Sequence, residues 1–198
     1  MASTSTAPTR SPLPPAPGAD RHPALALANT LQTTPGGTAD LIADRDLATD
    51  WLLTFRLIPE ATPLGDPCTA RLHTLRQDLR ALFTAVTQGT PPPRRALTAV
   101  NHALTAAPTA ELLAWDPERG LHRTTGHPLD RLTDHALALV AADAAALLTG
   151  PDADKLSACG AGHCSRFLLR THASRQWCSV RCGDRVRAAR AYSRRAGS

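Results

Sequence analysis

The sequence predicts a mainly α protein in two parts. A helical domain with one small β-hairpin is expected over 22–150. A module organised around four cysteines, built from a hairpin and a basic helix, is expected over 153–198. Three observations carry this. Aromatic residues make up only 4% of a chain that is 42% hydrophobic, so the core must be built mainly from Leu, Ala and Val, a mixture that favours helices. Leucines recur at spacings of three and four over long stretches. Finally, four of the five cysteines, Cys159, Cys164, Cys178 and Cys182, fall within the last forty residues.

Residues 1–21 are rich in Ser, Thr, Ala and Pro, with prolines at Pro8, Pro12, Pro14, Pro15 and Pro17. Such a segment has little apolar area to bury and is expected to be a disordered tail. Leu25–Leu31 is a short apolar run of either type. Asp44 can cap a helix running to about Phe55, with Trp51, Leu52 and Phe55 on its buried side. Pro59–Pro67 reads as a loop. The clearest helix follows, with Asp66 as candidate N-cap, Pro67 in its first turn and Gly89 just past its end. Leu72, Leu75, Leu79, Leu82, Phe83 and Val86 share one face of it. Arg71, Arg76 and Arg80 lie elsewhere and read as a solvated face. Pro91-Pro92-Pro93 opens another helix, with Leu97, Val100 and Leu104 on one side and Pro108 as its stop. Glu111–Trp115 and Leu121–Thr125 flank a turn sequence and predict the hairpin. The last helix of the domain runs from about Pro128 to Thr149 and ends at Gly150-Pro151. Leu132, Leu137, Leu139, Val140, Leu147 and Leu148 make it partly or wholly buried.

The net charge of +5 hides an asymmetry. From Met1 to Asp154 there are 12 Arg and 16 Asp or Glu, giving −4; from Lys155 to Ser198 there are 10 Lys or Arg and one acid, Asp184, giving +9. Part of the arginine excess (21 Arg against one Lys) fits GC-rich coding. That bias does not explain why acids vanish from one segment only. A basic segment beside an acidic body points to a polyanionic partner. No apolar stretch at the start has the length of a secretory signal, and the helix around Ala136–Leu148 reads as too short to span a bilayer. The expectation is a soluble cytoplasmic protein with reduced thiols and no membrane partner.

The cysteines follow the spacing C-x4-C, thirteen residues, C-x3-C. Two close pairs separated by a hairpin-length connection can place four sulfurs at tetrahedral corners, as zinc requires. Gly160-Ala161-Gly162-His163 has the glycines of a turn around a metal. Disulfides, an iron–sulfur cluster, or His163 in place of one cysteine are the alternatives. Four cysteines make a closed site, hence one structural rather than catalytic zinc. Cys68 stands alone and reads as a small buried hydrophobe.

Behind Cys182 a helix is expected, with Arg187, Arg190 and Arg194 on one face and Val186 and Ala189 available to pack on the knuckle. Together with Arg185 and Arg195, these arginines are the candidate nucleic-acid contacts. Guanidinium groups suit phosphates and guanine edges, and four to six phosphate contacts would make affinity fall steeply with salt. A forty-residue module has little core of its own. Loss of its metal is expected to unfold it alone and to leave the helical domain intact.

Cys159–Arg195 resembles the CGNR zinc finger, in which C-x4-C precedes a Phe-Leu segment, W-C-S and C-G-N-R. Phe167-Leu168, Trp177-Cys178-Ser179 and Cys182-Gly183-Asp184-Arg185 carry the match. Asp184 stands in place of the signature Asn, and Leu169 where Asp is common. The preceding domain is similar to the ABATE domain that accompanies this finger, through Leu25–Thr30 ending Asn29-Thr30 and through the order of elements. The resemblance implies a stress-related transcription regulator, mostly bacterial, with a sensor-like helical domain on a DNA-binding finger.

The leading expectation is therefore a zinc-dependent DNA-binding regulator, whose helical domain binds a small effector or a second copy of the chain. One finger gives a small footprint, which favours a homodimer or a second DNA contact. An adaptor binding RNA or protein is the alternative. An enzyme is not expected: His73, His102, His122, His127 and His135 lack ligand spacing, and no nucleophile elbow or phosphate-binding glycine loop is present.

Overall fold

The computed structural model describes residues 13–34, 37–59, 65–107, 111–125 and 131–196. Its centre is α3 (Asp66–Gln88), the longest helix among the described residues. Gly65 rather than Asp66 is its N-cap, and Pro67 lies in the first turn. Gly89 closes it in the left-handed region at φ 65°, where a side chain would be strained. Leu72, Leu79, Leu82 and Phe83 are at most 2% exposed. Burial of each such side chain is worth about 1.5–3 kcal/mol.

Around α3 pack α1 (Pro23–Ala28), α2 (Arg45–Thr54), α4 (Arg94–Ala106) and α5 (Leu132–Thr149). Asp44 caps α2 as expected, its side chain accepting from the Leu47 amide at 2.9 Å. α4 buries Ala96, Val100 and Ala103, whereas Leu97 is 41% exposed. Of the expected Leu97–Val100–Leu104 face, Val100 is buried and Leu104 packs partly buried against the core, so only Leu97 falls outside it. α5 buries His135 to Leu147 along the core, packed on α1, α3 and α4. By length and composition it could cross a membrane, with mean hydropathy 1.3, but this packing is that of a core helix. The expected start of α5 at Pro128 lies outside the described residues.

Among the described residues, the helical part holds two hairpins rather than one. β1 (Leu31–Thr34) and β2 (Gly37–Asp40) pair antiparallel with Thr33 opposite Thr38. Their strands are short and mostly polar, so no alternation announced them. The expected hairpin is β3 (Glu111–Asp116) with β4 (Gly120–Thr125), Trp115 opposite Leu121.

Of the α3 arginines expected on a solvated face, Arg71 is exposed but Arg76 and Arg80 are not. Arg76 is 4% exposed and forks onto Asp40 at 2.5 and 2.7 Å, with Thr30 Oγ1 at 3.0 Å. Arg80 donates to the Ala28 carbonyl at 2.6 Å and the Ser165 carbonyl at 2.9 Å. Arg71 pairs with Asp134 of α5.

Nor are the two parts separate. The C-terminal module comprises β5 (Leu156–Ala158), β6 (Phe167–Leu169) and α6 (Val180–Ala196). Phe167, Leu168 and Leu169 join the same continuous core as α1 and α3. The Phe167 ring meets Phe83 edge-on at 5.6 Å, with the Arg80 guanidinium 5.5 Å above it. Asn29 bonds the Phe167 backbone twice, donating to its carbonyl at 2.9 Å and accepting from its amide at 2.8 Å. Expectation had a short linker between independent units; what exists is a shared interior.

The disordered-tail expectation is also corrected, for residues 13–21. These form a strap with Ala16 1% and Ala19 5% exposed. Small residues let the strap lie flat, and its carbonyls accept the bonds that its prolines cannot donate. Pro14 O takes Arg166 Nη2 at 2.7 Å, and Pro17 O takes the Leu169 amide at 2.8 Å. Residues 1–12 lie outside the described residues.

Candidate metal centre and nucleic-acid interface

The hairpin β5–β6 and the start of α6 bring the four cysteines together. Cys159 and Cys164 sit at the tip of the hairpin, where His163 adopts a left-handed φ of 61°. The Gly160 amide bonds the Gln176 carbonyl at 2.8 Å, folding the tip against the segment that carries Cys178. Ser179 then caps α6, its hydroxyl accepting from the Cys182 amide at 3.3 Å. Cys178 and Cys182 are thereby fixed one turn apart at a helix N-terminus, where the backbone favours thiolate.

The four sulfurs lie within 4.8 Å of one another. Cys164–Cys178 is 3.7 Å and Cys178–Cys182 is 3.6 Å. Tetrahedral zinc with Zn–S near 2.3 Å requires sulfurs about 3.8 Å apart. A disulfide requires about 2.05 Å, so the cysteines are free thiols. His163 is exposed and the sulfur set is complete without it. The protein binds one structural zinc ion through Cys159, Cys164, Cys178 and Cys182. The ion would join the hairpin tip to the helix, and with no ligand position left over it activates no water.

Without metal the thiols share protons. Hydrogen bonds from Cys164 and Cys178 hold Cys159 far below the usual thiol range. The same bonds push Cys164 and Cys178 up. With metal, the thiolates exceed the charge of the cation, and two arginines face that excess. Arg166 Nη1 is 3.8 Å from Cys178 Sγ, and Arg185 Nη2 is 3.4 Å from Cys182 Sγ. Arg185, expected as a nucleic-acid contact, is thus half-buried on the metal cluster. Arg166 was not singled out by sequence; a lone arginine between Ser165 and Phe167 carries no signal of its role.

α6 begins at Val180, so the helix expected behind Cys182 starts two residues earlier and includes Cys182 itself. Gly183 lets Trp177 approach closely: a Cβ would lie 3.2 Å from the Trp177 ring and 3.1 Å from Arg187 Nη1, tighter than usual contact. Arg187 stacks over Trp177 at 5.9 Å and pairs with Asp184 at 2.5 Å. Val186 packs against the core, but Ala189 is exposed, contrary to expectation. Beyond Val186 the helix is exposed except at Ala191. That length carries Arg187, Arg190, Arg194 and Arg195. A second stripe, Arg181, Ala188, Tyr192 and Arg195, repeats at i, i+7, i+11 and i+14, with Tyr192 75% exposed.

The histidines are dispersed. His73 bonds the Ile42 carbonyl, His122 bonds the Gly120 carbonyl, and His135 is buried in α5. His127 lies outside the described residues.

Fold and site define a zinc-finger protein in which a closed four-thiolate centre is welded to a helical body. The family model described as "Putative stress-induced transcription regulator", ABATE, matches residues 21–151, and that of the CGNR zinc finger matches residues 155–195. The chain belongs to the ABATE family and carries its finger. No curated protein matches it.

Proposed function

We propose that this protein is a transcription regulator that binds DNA through α6, without catalysis of its own. The exposed length of α6 carries the reading. Four of the five arginines named from sequence, Arg187, Arg190, Arg194 and Arg195, lie there, and Arg181 joins them. They belong to a segment of net charge +9 behind a body of −4. Acid is almost absent, the exception being Asp184. The zinc centre gives this helix a fixed base, so the guanidinium groups meet a groove with less ordering cost than a free tail would. The helical body is read as the sensing or dimerising unit, and the cytoplasm as the compartment.

The test is fluorescence anisotropy of zinc-loaded protein on random-sequence duplex between 50 and about 300 mM salt. With four to six phosphate contacts, log affinity falls against log salt with a slope of about −4 to −5. Arg190→Ala reduces that slope by about one. Absence of duplex binding at low salt overturns the proposal. Tyr192 supports a second reading: an exposed aromatic among arginines suits stacking on single-stranded bases. Stronger binding to single-stranded RNA than to duplex, lost in Tyr192→Ala, would favour it.

A further inference from the structure

The strap does more than cover the core. Between it, α1, β1 and α2 lies a cleft of about 450 Å³, within the range of small-molecule sites. Its walls are apolar: Leu13, Ala16 and Ala19 from the strap, Leu41, and the tilted ring pair of Trp51 and Phe55, whose centroids are 5.0 Å apart. Its floor is polar and buried. Gln32 is 4% exposed and uses Oε1 on the Leu13 amide, which leaves its amide nitrogen as a donor. Arg166 is 2% exposed, and its Nε, itself buried, has no hydrogen-bond partner. A buried donor without a partner costs about 1–3 kcal/mol, so an acceptor brought into the cleft gains from meeting it.

Arg166 also links the cleft to the metal. One terminal nitrogen holds Pro14 O of the strap, and the other faces Cys178 Sγ. Its charge is engaged by the thiolates, and Asp20 stands at the mouth, so an anion is disfavoured. The aromatic wall favours a flat partner.

We propose that this cleft binds a small, flat, uncharged molecule with hydrogen-bond acceptors at one edge, and that its occupancy is transmitted to the zinc centre through Arg166. This deepens the reading of the body as a sensing unit. Because strap and thiolate share one guanidinium, a ligand that holds the strap closed also holds Arg166 on Cys178. The centre then releases its metal more slowly.

The probe is 6-propionyl-2-dimethylaminonaphthalene, a flat neutral fluorophore with one carbonyl acceptor, added to full-length zinc-loaded protein without nucleic acid. Saturable one-to-one binding with enhanced emission is expected. Thr54→Trp, which fills the cleft from an exposed position, should weaken binding at least tenfold while zinc content and melting temperature are retained. Zinc release to a chromogenic chelator should slow at least threefold with bound probe. In Arg166→Lys the probe should bind more weakly, for want of the Nε donor, and at saturating probe the zinc release should no longer respond to it. No saturable binding, or binding unaffected by Thr54→Trp, overturns the site. Release indifferent to bound probe in the unsubstituted protein overturns the coupling. None of these readings involves DNA, so failure of α6 to bind duplex would be seen separately.

Discussion

Asn29→Ala tests whether the finger and the helical body are one cooperative unit. Asn29 stands beside β6 as a strand neighbour would, giving Phe167 both a donor and an acceptor at 2.9 and 2.8 Å. The residue is 3% exposed, and Phe167 is 4% exposed. Each bond contributes about 1 kcal/mol net, and a buried backbone group left unpaired costs about 1–3 kcal/mol. Truncation should therefore cost about 2–4 kcal/mol, a sizeable part of the 5–15 kcal/mol typical of a domain. For a chain of this length that lowers the melting temperature by about 5–15 °C. Circular dichroism at 222 nm reports the body, and a chromogenic chelator present during the same ramp reports metal release. Both signals should shift together, because Phe167, Phe83 and Arg80 belong to one interior. Asn29→Asp keeps the acceptor for the Phe167 amide but loses the donor, and should fall between. If zinc release moved to lower temperature while the helical signal stayed within about a degree, the shared-core argument would be wrong. The finger would then be the independent module expected from its length.

Four further outcomes are expected. Asp184→Asn frees Arg187 and removes the one acid of the basic segment; the exposed pair contributes at most about 1 kcal/mol to stability. Duplex affinity at low salt should rise about three- to tenfold with a salt slope steeper by about one, and unchanged anisotropy titrations would count against α6 as the contact. Zinc binding should release protons and tighten as pH rises through neutrality, because Cys164 and Cys178 are held protonated without metal. Calorimetry in buffers of different ionisation enthalpy reads that release, and a buffer-independent heat would refute it. Burial opposes ionisation of Asp40, but the hydrogen bonds from Arg76 and the Ile42 amide, with the Arg76 charge, together outweigh it and hold the carboxyl below its ordinary value. That stabilisation is complete above the unfolded pKa of about 3.9 and is lost as pH falls through the lower folded value. Asp40→Asn should therefore flatten the acid limb of a stability–pH curve. Finally, Gly18 has φ 88°, and a Cβ there would lie 2.7 Å from Leu169 Cδ1. Gly18→Ala should detach the strap, seen as faster proteolysis ahead of His22 with the metal retained; cleavage at the unsubstituted rate would contradict the packing.

The legible part of this protein was whatever repeats or pairs locally. The apolar spacing of α3, the cap at Asp44, the turn of β3–β4 and the cysteine spacing each involve residues a few positions apart, and each was found. What escaped was carried by single residues acting over long separations. Asn29 and Phe167 are 138 positions apart, and Arg166 and Pro14 are 152 apart. No periodicity marks such pairs. The family-like residues now have physical reasons. Asn29 holds β6, and Thr30 accepts from Arg76. Trp177 lies against Gly183, and Ser179 caps the helix of Cys182. Leu169, which departs from the common pattern, seats the strap at Gly18. The N-terminal strap escapes a reading by composition for an opposite reason: its composition is that of disorder, but two buried alanines and two proline carbonyls suffice where a preformed groove receives them.

Burial, rather than number, sorts the arginines. Arg76, Arg80 and Arg166 each join segments distant in sequence. Each uses the fork of the guanidinium on two acceptors at once: both oxygens of Asp40, the carbonyls of Ala28 and Ser165, and Pro14 O with a thiolate. An ammonium carries its three donors on one nitrogen and lacks the planar, spaced fork that spans two separate acceptors. The coding bias that supplies arginine in place of lysine is therefore built into the interior, and these cations are withdrawn from any external partner. Arg185 is withdrawn by the metal cluster in the same manner. On the proposed reading, the arginines offered to a polyanion are those whose guanidiniums reach solvent on α6. Its strength as a binding element rests on the scarcity of carboxylates there, not on the total charge. A surface of equal arginine count with acids interspersed would pair internally, as Arg71 does with Asp134 and Arg187 with Asp184. If α6 is the DNA contact proposed above, its one acid, Asp184, marks the point where that contact is weakest.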